Sequence, residues 1–296
     1  MQLQPSDIKV ENKAVLARAI SMVENQAKGF ESLLLHLPDP GKKCQIIGIT
    51  GPPGAGKSTL TDALIELFLK EDQKVAVVCI DPSSPFHKGA ILGDRIRMNA
   101  WHDHPNVFIR SMASRGALGG VAPMVIEVVE VLQSAGFDKI LIETVGVGQS
   151  EVEIAGLADT TIVVLVPESG DDVQSMKSGL MEIADIFVVN KTDRPAADLF
   201  IQHLQGTLTI PGKAETVPVI PTIASKKTGI QEIKQAIENH ENSTMSEKRK
   251  NRIICDKVIR IIQKEKLKNI DIEELMDRIE KEKKPMNLYA MAQLYL

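Results

Sequence analysis

Between Lys43 and His240, short and nearly continuous apolar runs alternate with longer stretches whose apolar residues recur at helical spacing. The short runs predict strands at Ile46–Thr50, Val75–Ile80, Val107–Arg110, Lys139–Glu143, Thr161–Val166, Ile186–Asn190 and Val217–Thr222. Strands that are apolar throughout, rather than alternating, belong to a parallel sheet buried on both faces. The expected class is therefore α/β, three layers with a mostly parallel central sheet. In such a sheet a ligand sits at the carboxyl ends of the strands.

Two flanking zones differ from this middle one. In residues 1–42, Val15, Ala19, Met22 and Val23 recur at helical spacing and Leu33–Leu37 follows. One or two helices are expected there, ended by Pro38, Asp39, Pro40 and Gly41. In residues 241–296 the chain becomes charged and helical. Ile253, Ile254, Val258, Ile261 and Ile262 form an apolar stripe on a Lys/Arg-rich helix, and Asp271–Lys283 reads as a second helix. The stripe either packs back on the middle zone or reaches another subunit as an arm.

Composition narrows the classes. The 296 residues carry 35 basic and 39 acidic side chains, a net charge of -4, so no global field draws the chain to nucleic acid or an anionic membrane. The helical stripe also lacks the interleaved aromatics that stack on bases. Cys44, Cys79 and Cys255 are too few and too scattered for a disulfide framework or a metal cluster. Met1–Val10 has no basic region leading into an apolar core, and no stretch is long and uncharged enough to span a bilayer. A cytoplasmic location is expected.

Chemistry enters with Gly51, Pro52, Pro53, Gly54, Ala55, Gly56, Lys57 and Ser58, which satisfy the spacing G-x-x-x-x-G-K-[ST]. They lie between the first predicted strand and a predicted helix, Lys57–Lys70, which is the context a phosphate loop requires. Its glycines let backbone N–H groups turn onto phosphate oxygens at a helix start. Lys57 adds a point charge for the β- and γ-phosphates, and the Ser58 hydroxyl is a Mg²⁺ ligand candidate, with Thr59 beside it. A P-loop NTPase fold follows. Asn190, Lys191, Thr192 and Asp193 then select the base: an ionised Asp193 carboxylate only accepts hydrogen bonds, which matches the adjacent N1–H and amino donors of guanine. GTP, rather than ATP, is the expected nucleotide, with GDP as product.

Further candidates lie at the ends of the other strands. Asp81 ends the second strand and is either a Mg²⁺ ligand or a plain turn residue in Asp81, Pro82, Ser83, Ser84, Pro85. Asp94 is a second candidate for the metal or the attacking water. Glu143 ends the fourth strand, where it would hold metal-bound water, and Gly146 offers an N–H to the γ-phosphate. Gln149 either orients the attacking water or not, since its spacing from Glu143 differs from that in other GTPases. Thr144 and Ser150 read equally as turn hydroxyls or ligands. Asp171 and Lys177 lie in a loop at the nucleotide edge, and Ala224 and Ser225 follow the last strand, where backbone N–H groups would read guanine O6.

Together, Gly51–Thr59, Asp81–Ser84, Ile91–Asp94, Gly116–Gly120, Glu143–Glu151 and Asn190–Asp193 resemble the methylmalonyl-CoA mutase-associated GTPases of the MeaB/ArgK/MMAA type. The resemblance covers the N-terminal helices and the whole nucleotide domain; the C-terminal zone matches in character only, as a dimerisation extension. It implies a GTPase that gates cofactor delivery from an adenosyltransferase to an adenosylcobalamin-dependent acyl-CoA mutase and protects that mutase. It also implies switch loops at Asp81–Asp94, Glu143–Glu151 and Glu168–Lys177. Catalytic candidates are then Lys57, Asp94, Glu143, Gln149 and Lys177; metal candidates are Ser58, Asp81, Asp94 and Glu143. Departures are Ile223 before the guanine loop, Ser178 after Lys177, and Phe86, His87 and Lys88 between the first switch residues.

Two rivals have less support. A nickel metallochaperone would need a ligand cluster, whereas His36, His87, His203 and His240 are isolated and His102, Asp103, His104 read as a solvated loop. The family's older label, a lysine/arginine/ornithine transport kinase or ATPase, conflicts with the guanine match of Asp193.

Overall fold

The computed structural model describes residues 3–39, 41–81, 99–113, 124–144, 153–170, 179–208, 217–242, 245–267, 270–281, 291, 292 and 295. Its elements begin with α1 (Lys13–Glu24), α2 (Phe30–Leu35), β1 (Gln45–Thr50), α3 (Lys57–Leu69), β2 (Val75–Asp81) and β3 (Val107–Ala113). They continue with α4 (Val125–Ser134), β4 (Lys139–Thr144), β5 (Thr160–Leu165), α5 (Leu180–Ile183), β6 (Ile186–Asn190), α6 (Ala197–Leu208) and β7 (Val219–Thr222). Last come α7 (Ile230–Glu241), α8 (Met245–Leu267) and α9 (Ile272–Lys281).

All seven expected strands form, in one sheet of order β3-β2-β4-β1-β5-β6-β7 with every pair parallel. Alternate residues of each strand serve opposite layers, as the pleat dictates. Ile46, Ala76, Val78, Ile140 and Ile142 pack with α1 and α4, while Ile47, Ile49, Val77, Cys79 and Leu141 pack with α3 and α7. A smaller cluster joins Phe187 and Val189 of β6 to Phe200 and Leu204 of α6. The N-terminal segment is thus part of a sheet-covering layer. Val15, Leu16, Ala19, Ile20 and Val23 of α1 are buried in the same cluster as the strands, and Asn12 caps the helix by accepting the Val15 N–H at 3.3 Å.

Two strand ends differ from the sequence expectation by more than one residue, each for a local reason. Arg110 reads as a stop, yet β3 continues to Ala113 in register with Asp81. Its guanidinium pairs with Glu24 and Ser21 of α1, so the charge is neutralised without ending the strand. Val217 precedes β7 rather than starting it: Pro218 lacks an N–H and enters the ladder only as acceptor, from the Phe187 N–H at 2.8 Å.

The chain divides into two compact units, Met1–Lys248 and Arg249–Leu296. In the second, the Asp271 carboxylate accepts the N–H groups of Glu273 and Glu274, and so caps α9 rather than belonging to it. Ile253 is buried, whereas Ile254 and Ile262 of the stripe are 57% and 49% exposed.

Candidate active site

The strand order reverses at β1, whose neighbours are β4 and β5. The crevice at the carboxyl end of β1 is the topological switch point, where ligands bind in open α/β sheets. The phosphate-loop sequence begins there. Gly51 has φ +137°, and a Cβ on it would lie 2.1 Å from the Val164 carbonyl oxygen of β5. Only glycine lets the loop cross β5 this closely. Gly56 has φ +92°, and a Cβ there would meet Asn190 Nδ2 at 2.3 Å. Gly54, Pro53 and Thr59 are exposed, Pro52 half-buried and Ala55 buried.

Lys57 is buried, and its amine donates to the carbonyls of Gly51 (2.8 Å) and Pro52 (3.0 Å), so it closes the loop around its own charge. Ser58 Oγ donates to Glu143 Oε1 at 2.5 Å. Glu143 lies on the sheet face that α3 covers, like Leu141 two residues earlier, and is 4% exposed. The buried Glu143 carboxylate and the half-buried Ser58 hydroxyl at the start of α3 are hard oxygen donors, and the pair fits Mg²⁺. Asp81 ends the adjacent β2, one register step beyond the pairing of Ile80 with Thr144. Asp94, Gly146, Gln149, Asp171, Ser150 and Lys177 lie outside the described residues, as does the side chain of Asp81.

At the end of β6, Asn190 is 2% exposed and bonds in two directions. Its Nδ2 donates to the Ala55 carbonyl at 2.8 Å, and its Oδ1 accepts the Ala224 N–H at 3.0 Å. Lys191 has φ +61° and donates to the Gly54 carbonyl at 2.7 Å. Three segments far apart in sequence are thereby pinned together. Of the pair expected to read guanine O6, Ala224 already donates its N–H to Asn190. Asp193 Oδ2 lies 3.3 Å from Lys226 Nζ, with both side chains largely in solvent. The same loop is fastened to α3 by Lys227 and Glu66; that hydrogen bond, followed by the one from Lys70, holds the Glu66 carboxyl below its ordinary pKa.

Two features escaped the sequence reading. Thr61 is buried and reaches Glu143 Oε2 at 3.0 Å, and Thr144 Oγ1 donates to Thr50 Oγ1 at 2.9 Å between β4 and β1. Thr144 is thus a cross-strand partner rather than a turn hydroxyl. The signal for Thr61 was its position three residues after Ser58, on the same helix face.

No nucleotide or Mg²⁺ candidate lines either of two cavities of about 550 and 610 Å³, found beside Lys13 and Arg110 and beside Met22 and His36. Among the described residues no group of three or more His, Cys, Asp or Glu is placed to hold a metal, and His104 is engaged by Asn106 and, through its carbonyl, by Lys13. Burial pushes the Cys44 thiol up to about 12, as suits a packing residue. Among the described residues no helix is long and apolar enough to cross a membrane.

The family model described as "Methylmalonyl Co-A mutase-associated GTPase MeaB" matches residues 16–284. The chain belongs to that family. As a mutase-associated GTPase of the MeaB type it is 41% identical over 305 aligned positions to a putative GTPase of Pyrococcus abyssi, covering 98% of this chain and 94% of the relative. GTPase ArgK of Escherichia coli is 43% identical over 186 positions, 61% of this chain and 56% of ArgK. Among solved structures, a LAO/AO transport system kinase superposes with a TM-score of 0.67 at 25% identity, covering 98% of this chain and 94% of that one. Like its relatives, this MeaB-family chain is a GTPase and binds guanine nucleotide.

Proposed function

We propose that the chain is a GTP-driven chaperone that gates cofactor loading of an adenosylcobalamin-dependent acyl-CoA mutase, methylmalonyl-CoA mutase in the first instance, and protects it. The observation that carries this is the match of residues 16–284 to a family described by its association with that mutase. The geometry supports the nucleotide half of the reading. Residues Gly51–Thr59 surround the phosphates, and Lys57 exchanges its two loop carbonyls for phosphate oxygens. Asp193 selects guanine and the Ser225 N–H reads its O6. Mg²⁺, held through Ser58 and Glu143 with Asp81 and Asp94 approaching from the first switch, would neutralise charge developing on the β- and γ-phosphates.

Gly146 senses the γ-phosphate, and Gln149, Asp94 and Lys177 complete the catalytic set. Hydrolysis by the chain alone is slow, because an arginine finger or its equivalent contributes about 10³–10⁵ in rate in other GTPases and comes here from the partner. An adenosyltransferase that makes the cofactor is a second partner. The chain works in the cytoplasm as a homodimer joined through residues 241–296.

The test is capture of the mutase from the same cell by the full chain loaded with a non-hydrolysable GTP analogue. Co-purification with the analogue, and faster GTP hydrolysis when purified mutase is added, are expected. Rapid turnover by the isolated chain, unchanged by mutase, would refute partner gating.

A further inference from the structure

Thr61 stands on α3 three residues beyond Ser58 and four beyond Lys57, with no exposed surface. A hydroxyl inside a helix commonly returns its proton to the carbonyl four residues back. Thr61 Oγ1 has that option, 3.0 Å from the Lys57 carbonyl, but it is equally 3.0 Å from Glu143 Oε2. A threonine carries one hydroxyl proton, and both neighbours accept when Glu143 is ionised. The bond to a charged acceptor is roughly twice as strong as the neutral one, so the carboxylate takes the proton. Ser58 holds the other oxygen, Oε1, at 2.5 Å. Two hydroxyls from one face of α3 therefore grip both oxygens of one buried carboxylate.

We propose that Thr61 is a positioning residue for the metal side of the site, acting through Glu143. A carboxylate held at one oxygen still rotates about its last carbon–carbon bond; held at both, it keeps its remaining lone pairs aimed in one direction. The inference rests on the reading of Ser58 and Glu143 as the Mg²⁺ side of the site. Partners that orient metal-side groups typically account for 10–100-fold in metal affinity.

The experiment measures the Mg²⁺ concentration that half-maximally slows release of a fluorescent GDP, and Mn²⁺ affinity of the GDP complex by electron paramagnetic resonance. Thr61→Val should raise the half-point about 10–100-fold, with GDP affinity in EDTA close to wild type and a melting temperature lowered by loss of the hydroxyl from the buried Glu143 Oε2. Thr61→Ser should restore the wild-type half-point. Should the valine variant fail to fold, Thr61→Cys, which fills similar space with a weaker donor, should give an intermediate shift. A wild-type half-point in Thr61→Val or Thr61→Cys, while Glu143→Gln is shifted, overturns the role of Thr61 alone. No shift in Glu143→Gln overturns the metal reading and the inference with it.

Discussion

Asn190 Nδ2 donates to the Ala55 carbonyl at 2.8 Å, so the strand end that carries the candidate base-selecting residues also holds the phosphate loop by its backbone. The other end of the same amide accepts the Ala224 N–H. An asparagine supplies a donor and an acceptor on two separate atoms of one short stem, whereas an ionised aspartate only accepts and a serine puts both functions on a single oxygen. The candidate base and phosphate segments thus share one buried side chain, so a disturbance of either is expected to reach the other.

Asn190→Ala should therefore lower stability and GTP affinity together. It leaves the Ala55 carbonyl and the Ala224 N–H without their partner, each at about 1–3 kcal/mol for a buried polar group. For a unit of this size that corresponds to a fall in melting temperature of about 5–15 °C. Differential scanning calorimetry and a GTP titration check it; an unchanged melting temperature would contradict the pinning role.

Gly51→Ala should damage the loop without unfolding the sheet. The added methyl would lie 2.1 Å from the Val164 carbonyl, at a backbone φ of +137° that other residues rarely adopt. Strain of this kind costs of order 1–3 kcal/mol. Expressed in the loop, it weakens GTP binding by about 10–100-fold, with circular dichroism unchanged. Wild-type affinity in this variant would mean that the loop relaxes away from β5.

Asp193→Asn should move base preference from guanine towards xanthine, because the amide turns one acceptor into a donor that suits the xanthine 2-oxo group. The ion pair it removes, 3.3 Å to Lys226, is largely exposed, and such pairs contribute about 0–1 kcal/mol. Stability should therefore stay near wild type while the ratio of xanthosine to guanosine triphosphate affinity rises. Retained GTP preference would remove Asp193 from the base site.

The legible parts of the chain were those fixed by local pattern. Seven apolar runs became seven parallel strands because burial on both faces leaves such runs no alternative partner. Loop positions 51–58 follow from their own glycine spacing. What the sequence hid were contacts between distant segments. Nothing local shows that Asn190 spends its amide on Ala55 and Ala224, or that Arg110 continues a strand because Glu24 meets its charge. Thr61 looked like an ordinary helix residue, since its importance depends on where β4 places Glu143. The fold follows from periodicity; the connections within the site follow from tertiary packing.

The last prediction concerns residues 243–296. A cut after Asn242 should leave GTP binding nearly intact and abolish the homodimer. The cut must spare α7, because Ile233 and Ile237 are in the core, Glu241 pairs with Lys43, and His240 bonds Thr160 at 3.0 Å. Every nucleotide candidate named above precedes the cut. Beyond it, α8 presents Ile254, Val258, Ile261 and Ile262, all more than a third exposed, on an otherwise charged helix. Fully covering an aliphatic side chain contributes about 1.5–3 kcal/mol, so four together amply reward a second copy of the chain for covering them. Analytical ultracentrifugation of the full and shortened chains gives the answer. A monomeric full chain would remove the dimer from the proposal, and loss of GTP binding in the shortened chain would make residues 243–296 part of the nucleotide fold.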